Sequence, residues 1–166
     1  SLAWYELACR YADLKWPQAA ATTRRTHAEV LTAITMLMLA SDRGRPDDKQ
    51  IRRALIGWAF NTARRSEVPE DVRRVLRWVA ANTRPVGDLA RREVLRQVVD
   101  GLRVKLDGTA AAATVVARRR QLLHTVLEYA VELEALDSNP LSGLRWKKPK
   151  AIVGVDRRRV VNPAQA

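Results

Sequence analysis

The run from Thr109 to Leu136 constrains this chain most. It contains neither Gly nor Pro, and Leu122, Leu123, Val126 and Leu127 recur at the spacing of one helix face. The spacing predicts a long helix over 110–136, opened after Gly108 and closed by Asn139-Pro140. Its first half is small and basic, with four alanines at 110–113 and Arg118, Arg119 and Arg120; its second half is acidic and aliphatic. A thin, cationic helix surface of this kind can approach a phosphate backbone closely.

The rest of the chain reads the same way. Leu2, Tyr5, Leu7, Tyr11 and Leu14 predict a first helix over 2–15, ended by Pro17. Thr22 or Thr23 is the expected N-cap of a second helix reaching residue 40, with His27, Leu31, Ile34 and Met38 on one face. A third is expected over 46–65 (Ile51, Leu55, Trp58, Thr62), its first turn carrying Asp47 and Asp48. Pro69 opens a fourth to 82, with Val72, Val75, Leu76 and Val79 inward. Asp88 caps a fifth over 89–106, with Leu95, Val98, Val99 and Leu102 inside. No period-2 alternation appears in the first 150 residues, so the expected fold is all-α, an orthogonal bundle of about six helices.

At 166 residues the chain suits one domain with a real core. Thirty Lys or Arg against eighteen Asp or Glu give +12, an excess that calls for a polyanionic partner. Cys9 is the one cysteine, which excludes an internal disulfide and fits a reducing, cytoplasmic setting. The longest apolar stretch, 30–40, is too short to span a bilayer. His27, His124 and Cys9 lack metal-ligand spacing, and no phosphate-binding glycine loop is present, so neither a metal nor a nucleotide cofactor is implied. Tyr5, Tyr11 and Tyr129 fall within expected core helices. The tryptophans are expected to be structural, since no aromatic strand face offers a stacking platform for single strands.

Two regions of charge stand out beside the Arg118, Arg119, Arg120 run. Thr22, Thr23, Arg24 and Arg25 sit at a helix amino end, where N–H groups and hydroxyls can take a phosphate between guanidiniums; the plainer alternative is a cap and solvated arginines. Successive residues of a helix turn by about 100°, so Arg118, Arg119 and Arg120 cannot share a face, and Arg118 lies most clearly opposite the buried one. After Asn139-Pro140 the character changes. Residues 145–159 hold seven Lys or Arg against one Asp, including Arg145, Lys147, Lys148 and Lys150 around Pro149. This segment reads as a linker able to track phosphates, or as a solubilising tail.

In their order, these features resemble the N-terminal core-binding domain of tyrosine site-specific recombinases, the phage-integrase family, and its actinobacterial members above all. The resemblance rests on several stretches. They are Trp4 and Tyr11 before Thr22-Thr23-Arg24-Arg25; Ala54-Leu55-Ile56-Gly57-Trp58-Ala59-Phe60-Asn61-Thr62; the Thr109–Arg120 stretch with the acidic turn 132–136 and Asn139-Pro140; and the tail from Trp146 through Val155 to Asn162-Pro163. It implies a helical DNA-binding domain over 1–144, with 41–85 a subgroup elaboration, and over 145–166 a basic linker entering a catalytic domain. Ser1 and the stop after Pro163 fit an excised piece. It further implies double-stranded DNA as partner, with the catalytic domain of the same polypeptide completing a clamp around a recombination half-site. The parent would be a tetramer on DNA and this piece a monomer, cytoplasmic and nucleoid-bound. The family's Tyr nucleophile belongs to the catalytic half, and neither His27 nor His124 opens the family's His-x-x-Arg box, so this chain is expected to bind DNA without cutting it. The alternatives are a helical transcription regulator, for which no helix pair has helix-turn-helix spacing, and a protein-interaction module with incidental charge.

Overall fold

A computed structural model describes residues 1–144; Arg145, Lys147, Lys148 and Lys150 lie outside them. The described residues are all-α. Six α-helices, α1 (Trp4–Lys15), α2 (Ala21–Leu37), α3 (Asp48–Ala54), α4 (Glu70–Asn82), α5 (Arg92–Gly101) and α6 (Ala113–Glu132), enclose one hydrophobic cluster. The expected inward faces are the observed ones. Leu31, Ile34 and Met38 of the second helix region, Ile51, Leu55 and Trp58 of the third, and Leu123, Val126 and Leu127 of α6 are all buried. Leu14 departs from its pattern: it is exposed, and Trp4, at the start of α1, is fully buried beside Leu7 and Ala8. The Trp4 indole N–H donates to Thr35 Oγ1 at 2.8 Å, and that hydroxyl donates to the Leu31 carbonyl at 2.7 Å. A buried polar atom must find a partner, and this relay satisfies both groups while locking α1 to α2.

The 41–85 segment shares that core. Ile51, Leu55, Val72, Leu76 and Val79 belong to the same cluster as Leu7 and Leu31. The chain leaving α4 then threads between α1 and α2. Trp4 N–H donates to Arg84 O at 2.9 Å, Val86 N–H to Leu2 O at 2.8 Å, and Arg84 N–H to Met38 O at 2.8 Å. These paired bonds are isolated bridges (Ala3 with Pro85, Leu39 with Thr83), and no sheet forms among the described residues.

The helix ends differ from expectation, each for a local reason. Thr22 and Thr23 do not cap α2; Ala20 holds the cap position and both threonines sit in the first turn. α3 is shorter than expected. It runs into a π-helical turn, Leu55–Ala59, and the Arg65 guanidinium takes the freed Ala59 carbonyl through two hydrogen bonds, 3.1 and 2.7 Å. Asp88 does not cap α5: it lies in a 3-10 turn, Val86–Ala90, with its carboxylate 3.4 Å from Arg84, and Arg91 precedes the helix. α5 stops at Gly101 because residues 103–111 fold back as a small hairpin, in which Ala111 N–H donates to Arg103 O at 2.9 Å. That pairing also holds Ala110, Ala111 and Ala112 outside α6, so the expected four-alanine helix surface does not form. At its other end α6 stops at Glu132 rather than 136. Glu134 adopts φ 63°, Glu134 N–H donates to Val131 O and Ala135 N–H to Ala130 O, both at 2.9 Å. This is a Schellman ending with glutamate where glycine is usual.

Asn139 closes the bundle as its sequence position suggested. Its amide donates to the His124 carbonyl at 3.2 Å and to the Glu128 carboxylate at 2.9 Å, and its oxygen accepts from Leu141 N–H at 3.0 Å.

Candidate nucleic-acid interface

The solvent-facing side of α2 lies in the floor of three adjoining concavities. The first, about 410 Å³, separates the start of α2 from the middle of α6; Thr22, Thr23, Thr26, Arg118, Gln121 and Thr125 line it. The second, about 530 Å³, continues along α2 past Thr26, Val30 and Arg118, which it shares with the first, to Arg52, Lys105 and Arg119. The third, about 540 Å³, lies on the opposite flank of α2 against the π turn and the 60s. Trp16, Arg24, Arg25, Glu29 and Arg64 line it, and it shares Glu29 and Ile56 with the second.

Together these walls carry seven cations, Arg24, Arg25, Arg52, Arg64, Lys105, Arg118 and Arg119, and one carboxylate, Glu29. Thr22, Thr23 and Arg118, 95 and more residues apart in sequence, face one cavity. The fold thus sets the start of α2 and the middle of α6 side by side. Arg25, Arg64 and Arg118 are exposed, and no carboxylate among the described residues comes within 4.0 Å of them. The amino end of α2 adds the first-turn N–H groups and the positive end of its dipole.

The individual arginines divide by their partners. Arg24 is committed inward: it donates to the Trp16 carbonyl at 2.9 and 2.6 Å, and its guanidinium lies 4.2 Å from the Trp16 ring centre. Arg119 is also tethered, donating to Leu102 O at 3.0 Å and Val104 O at 3.2 Å, and burial holds its pKa below the usual guanidinium value. Arg120 is half-buried and lines none of the three cavities. Of the run at 118–120, Arg118 alone presents an exposed head to the α2 surface. Arg52, Arg64 and Lys105 were not among the residues expected here. Each comes from a different stretch of chain, and only the folded bundle sets them beside Arg25 and Arg118. Arg64 is braced by stacking 4.3 Å from the Trp58 ring centre.

Other reactive groups are quiet. Among the described residues no group of three or more His, Cys, Asp or Glu is placed to hold a metal ion. Burial pushes the Cys9 thiol up, away from the reactive thiolate. Burial likewise raises the Tyr11 phenol, and burial followed by Cys9 raises Tyr5. His27, beside the first cavity, is held below its usual value by burial and then by Lys15, which keeps it neutral at pH 7. No helix among the described residues is long and apolar enough to cross a membrane. No family model, curated protein or solved structure matches this chain.

Proposed function

We propose that this chain binds double-stranded DNA through the α2 surface, as the core-binding part of a tyrosine recombinase or integrase. The observation that carries the DNA reading is the α2 surface itself: seven cations and one carboxylate around a single helix whose amino end is open. Arg25, Arg64 and Arg118 supply exposed guanidinium charges to phosphates on both flanks of α2, and the Thr22 and Thr23 hydroxyls and first-turn N–H groups fix register. Concavity suits a convex duplex, and the paucity of carboxylates removes the repulsion that would otherwise oppose it. The recombinase part of the reading rests on the ordered sequence resemblance, with catalysis assigned to a domain of the same polypeptide beyond this piece. The basic stretch 145–159 would extend the phosphate contacts.

The test is fluorescence anisotropy of the 166-residue chain on a mixed-sequence duplex of about 30 base pairs, between about 50 and 300 mM salt. The expected result is binding whose log affinity falls linearly with log salt, with a slope corresponding to about four or more phosphates. A recombinase half-site reader also enriches one short motif from a randomised duplex pool. No binding at the lowest salt would remove the DNA reading. Binding without motif enrichment would retain it and remove the half-site reading.

A further inference from the structure

Four large apolar side chains stand exposed among the described residues, and three of them, Ile56, Val104 and Leu106, line one groove. It is the 530 Å³ concavity between α2, the π turn, the 103–111 hairpin and α6, floored further by Met36 and Leu37. Leu106 is 80% exposed, Val104 42% and Ile56 37%. Single exposed apolar residues are ordinary, whereas a contiguous set in a groove marks a binding surface. Thr32, 2% exposed, also lines this groove, and its hydroxyl has no hydrogen-bond partner among the described residues.

The hairpin that carries Leu106 is built to hold it out. Lys105 N–H donates to Thr109 O at 2.7 Å and Gly108 N–H to Lys105 O at 3.0 Å. Gly108 takes φ +84°, which an L side chain rarely adopts, and Asp107 turns its carboxylate back onto Thr109 N–H at 2.9 Å and Thr109 Oγ1 at 2.6 Å. Arg119 pins the hairpin base through the Leu102 and Val104 carbonyls.

Phosphate contact has no use for an apolar trench; a helix face does. The groove's charge states which helix. Arg52, Lys105, Arg118 and Arg119 line it against Glu29 alone, and Arg52 reaches its own partner, Asp48, only at 3.9 Å. Lys105 and Arg118 have no carboxylate within 4.0 Å among the described residues.

We propose that this groove docks an acidic amphipathic helix of a partner protein. Its apolar residues at i, i+3 or i+4 and i+7 lie on Ile56, Val104 and Leu106, and its carboxylates reach Lys105 and Arg118. Because Arg118 also belongs to the duplex surface, the docked helix and DNA exclude one another, which makes the partner a switch on DNA binding. Only that competition rests on the duplex reading; docking stands without it.

The probe is a fluorescein-labelled peptide of about 18 residues, five helical turns, with Leu along one face and Glu elsewhere; its control is the same composition scrambled. Titrated with the 166-residue chain, the patterned peptide is expected to bind in the micromolar range, at least tenfold more tightly than the scrambled one. Ile56→Ser with Leu106→Ser is expected to weaken the patterned peptide by tenfold or more while duplex affinity stays within twofold. Leu106→Ser alone, at a site outside the core, is expected to weaken it by at least threefold and guards against misfolding of the double variant. Equal binding of the two peptides, or no binding of the patterned one, overturns the proposal. So does loss of duplex binding in the Leu106→Ser variant, which would assign the groove's apolar residues to the nucleic-acid contact. Wild-type duplex binding, read in the same assay, reports separately on the DNA reading.

Discussion

Two ends of α6 face opposite electrostatic worlds. Near its start, Arg118 looks across a cavity at the amino end of α2, the helix whose three flanking concavities hold seven cations against one carboxylate. Near its end, Glu128 and Glu132 line a groove against α1 together with Leu14, Tyr129 and Val131, with Lys15 the one cation there. Arg118 and Glu128 are ten residues apart on one helix, about 15 Å along its axis. The net +12 is thus not a uniform coat. Residues 109–144 hold three Lys or Arg against four Asp or Glu. On the DNA reading, a polyanion would be drawn to the α2 side and turned away from the Glu128–Glu132 groove, so these described residues would orient it as well as attract it.

The contrast breaks most visibly by removing Arg25 and Arg118 together. Arg25→Ala with Arg118→Ala is expected to weaken duplex binding by about 30-fold near 100 mM salt and to reduce the log–log salt slope by about two. Glu128→Gln with Glu132→Gln, at the other end, is expected to leave affinity within twofold in the same titration. Equal effects from the two pairs would erase the polarity. Within the basic surface, Arg24 differs from its neighbours because its guanidinium is spent on Trp16. Arg24→Ala is expected to cost about 1–2 kcal/mol in urea unfolding and to change duplex affinity less than twofold.

A smaller effect comes from the ion pair that holds the π turn against α1. Burial alone would raise the Asp13 carboxyl, but hydrogen bonds from Arg65 (2.7 Å) and Thr62 (2.7 Å), with the guanidinium charge, hold it below its ordinary 3.8. A carboxyl with a depressed folded-state pKa contributes stability that is present above 3.8 and lost as pH falls through the depressed value. Asp13→Asn is expected to cost about 1 kcal/mol at pH 7, discounted for partial exposure, and to flatten the loss of stability below about pH 4. Acid titration of the unfolding free energy reads both. Smallest is the end of α6, where Glu134 sits at φ 63°. Glu134→Gly is expected to stabilise by about 0.5–1 kcal/mol, seen as a raised urea midpoint with unchanged slope.

How much of this was legible follows from what each feature depends on. The buried faces of α2, the third helix region and α6 depend on local periodicity, and Leu31, Ile34, Ile51, Leu55 and Leu123 stand where the spacing put them. The ends of helices depend on partners far away or on atypical residues. The α6 terminus was hidden because glutamate occupies the left-handed position that glycine advertises. The 103–111 hairpin was hidden because Arg119, from a helix not yet begun, pins its base. Capping by Thr22 or Thr23 was a fair inference from residue type, but Ala20 has the extended backbone that precedes the helix and the threonines do not. For the site, composition implies a cationic surface, and helical spacing sets Arg118 on the solvent side of its helix, where it is exposed. Arg52, Arg64 and Lys105 join it only through tertiary packing, and no local signal marks them. Trp16 as the receiver of Arg24 lies eight residues back, across Pro17, where no helical register links the two.

The most direct test sets position against net charge. One variant carries Arg25→Glu, Arg64→Glu and Arg118→Glu; another carries Arg74→Glu, Arg91→Glu and Arg96→Glu, which are exposed and line none of the α2 cavities. Both change the chain's charge equally. Duplex affinity of each is measured by anisotropy near 100 mM salt, beside the unaltered chain. A loss of 100-fold or more is expected for the first variant and less than tenfold for the second. Equal losses would mean that the chain binds DNA, if at all, by its overall charge, and that the α2 surface is not the interface.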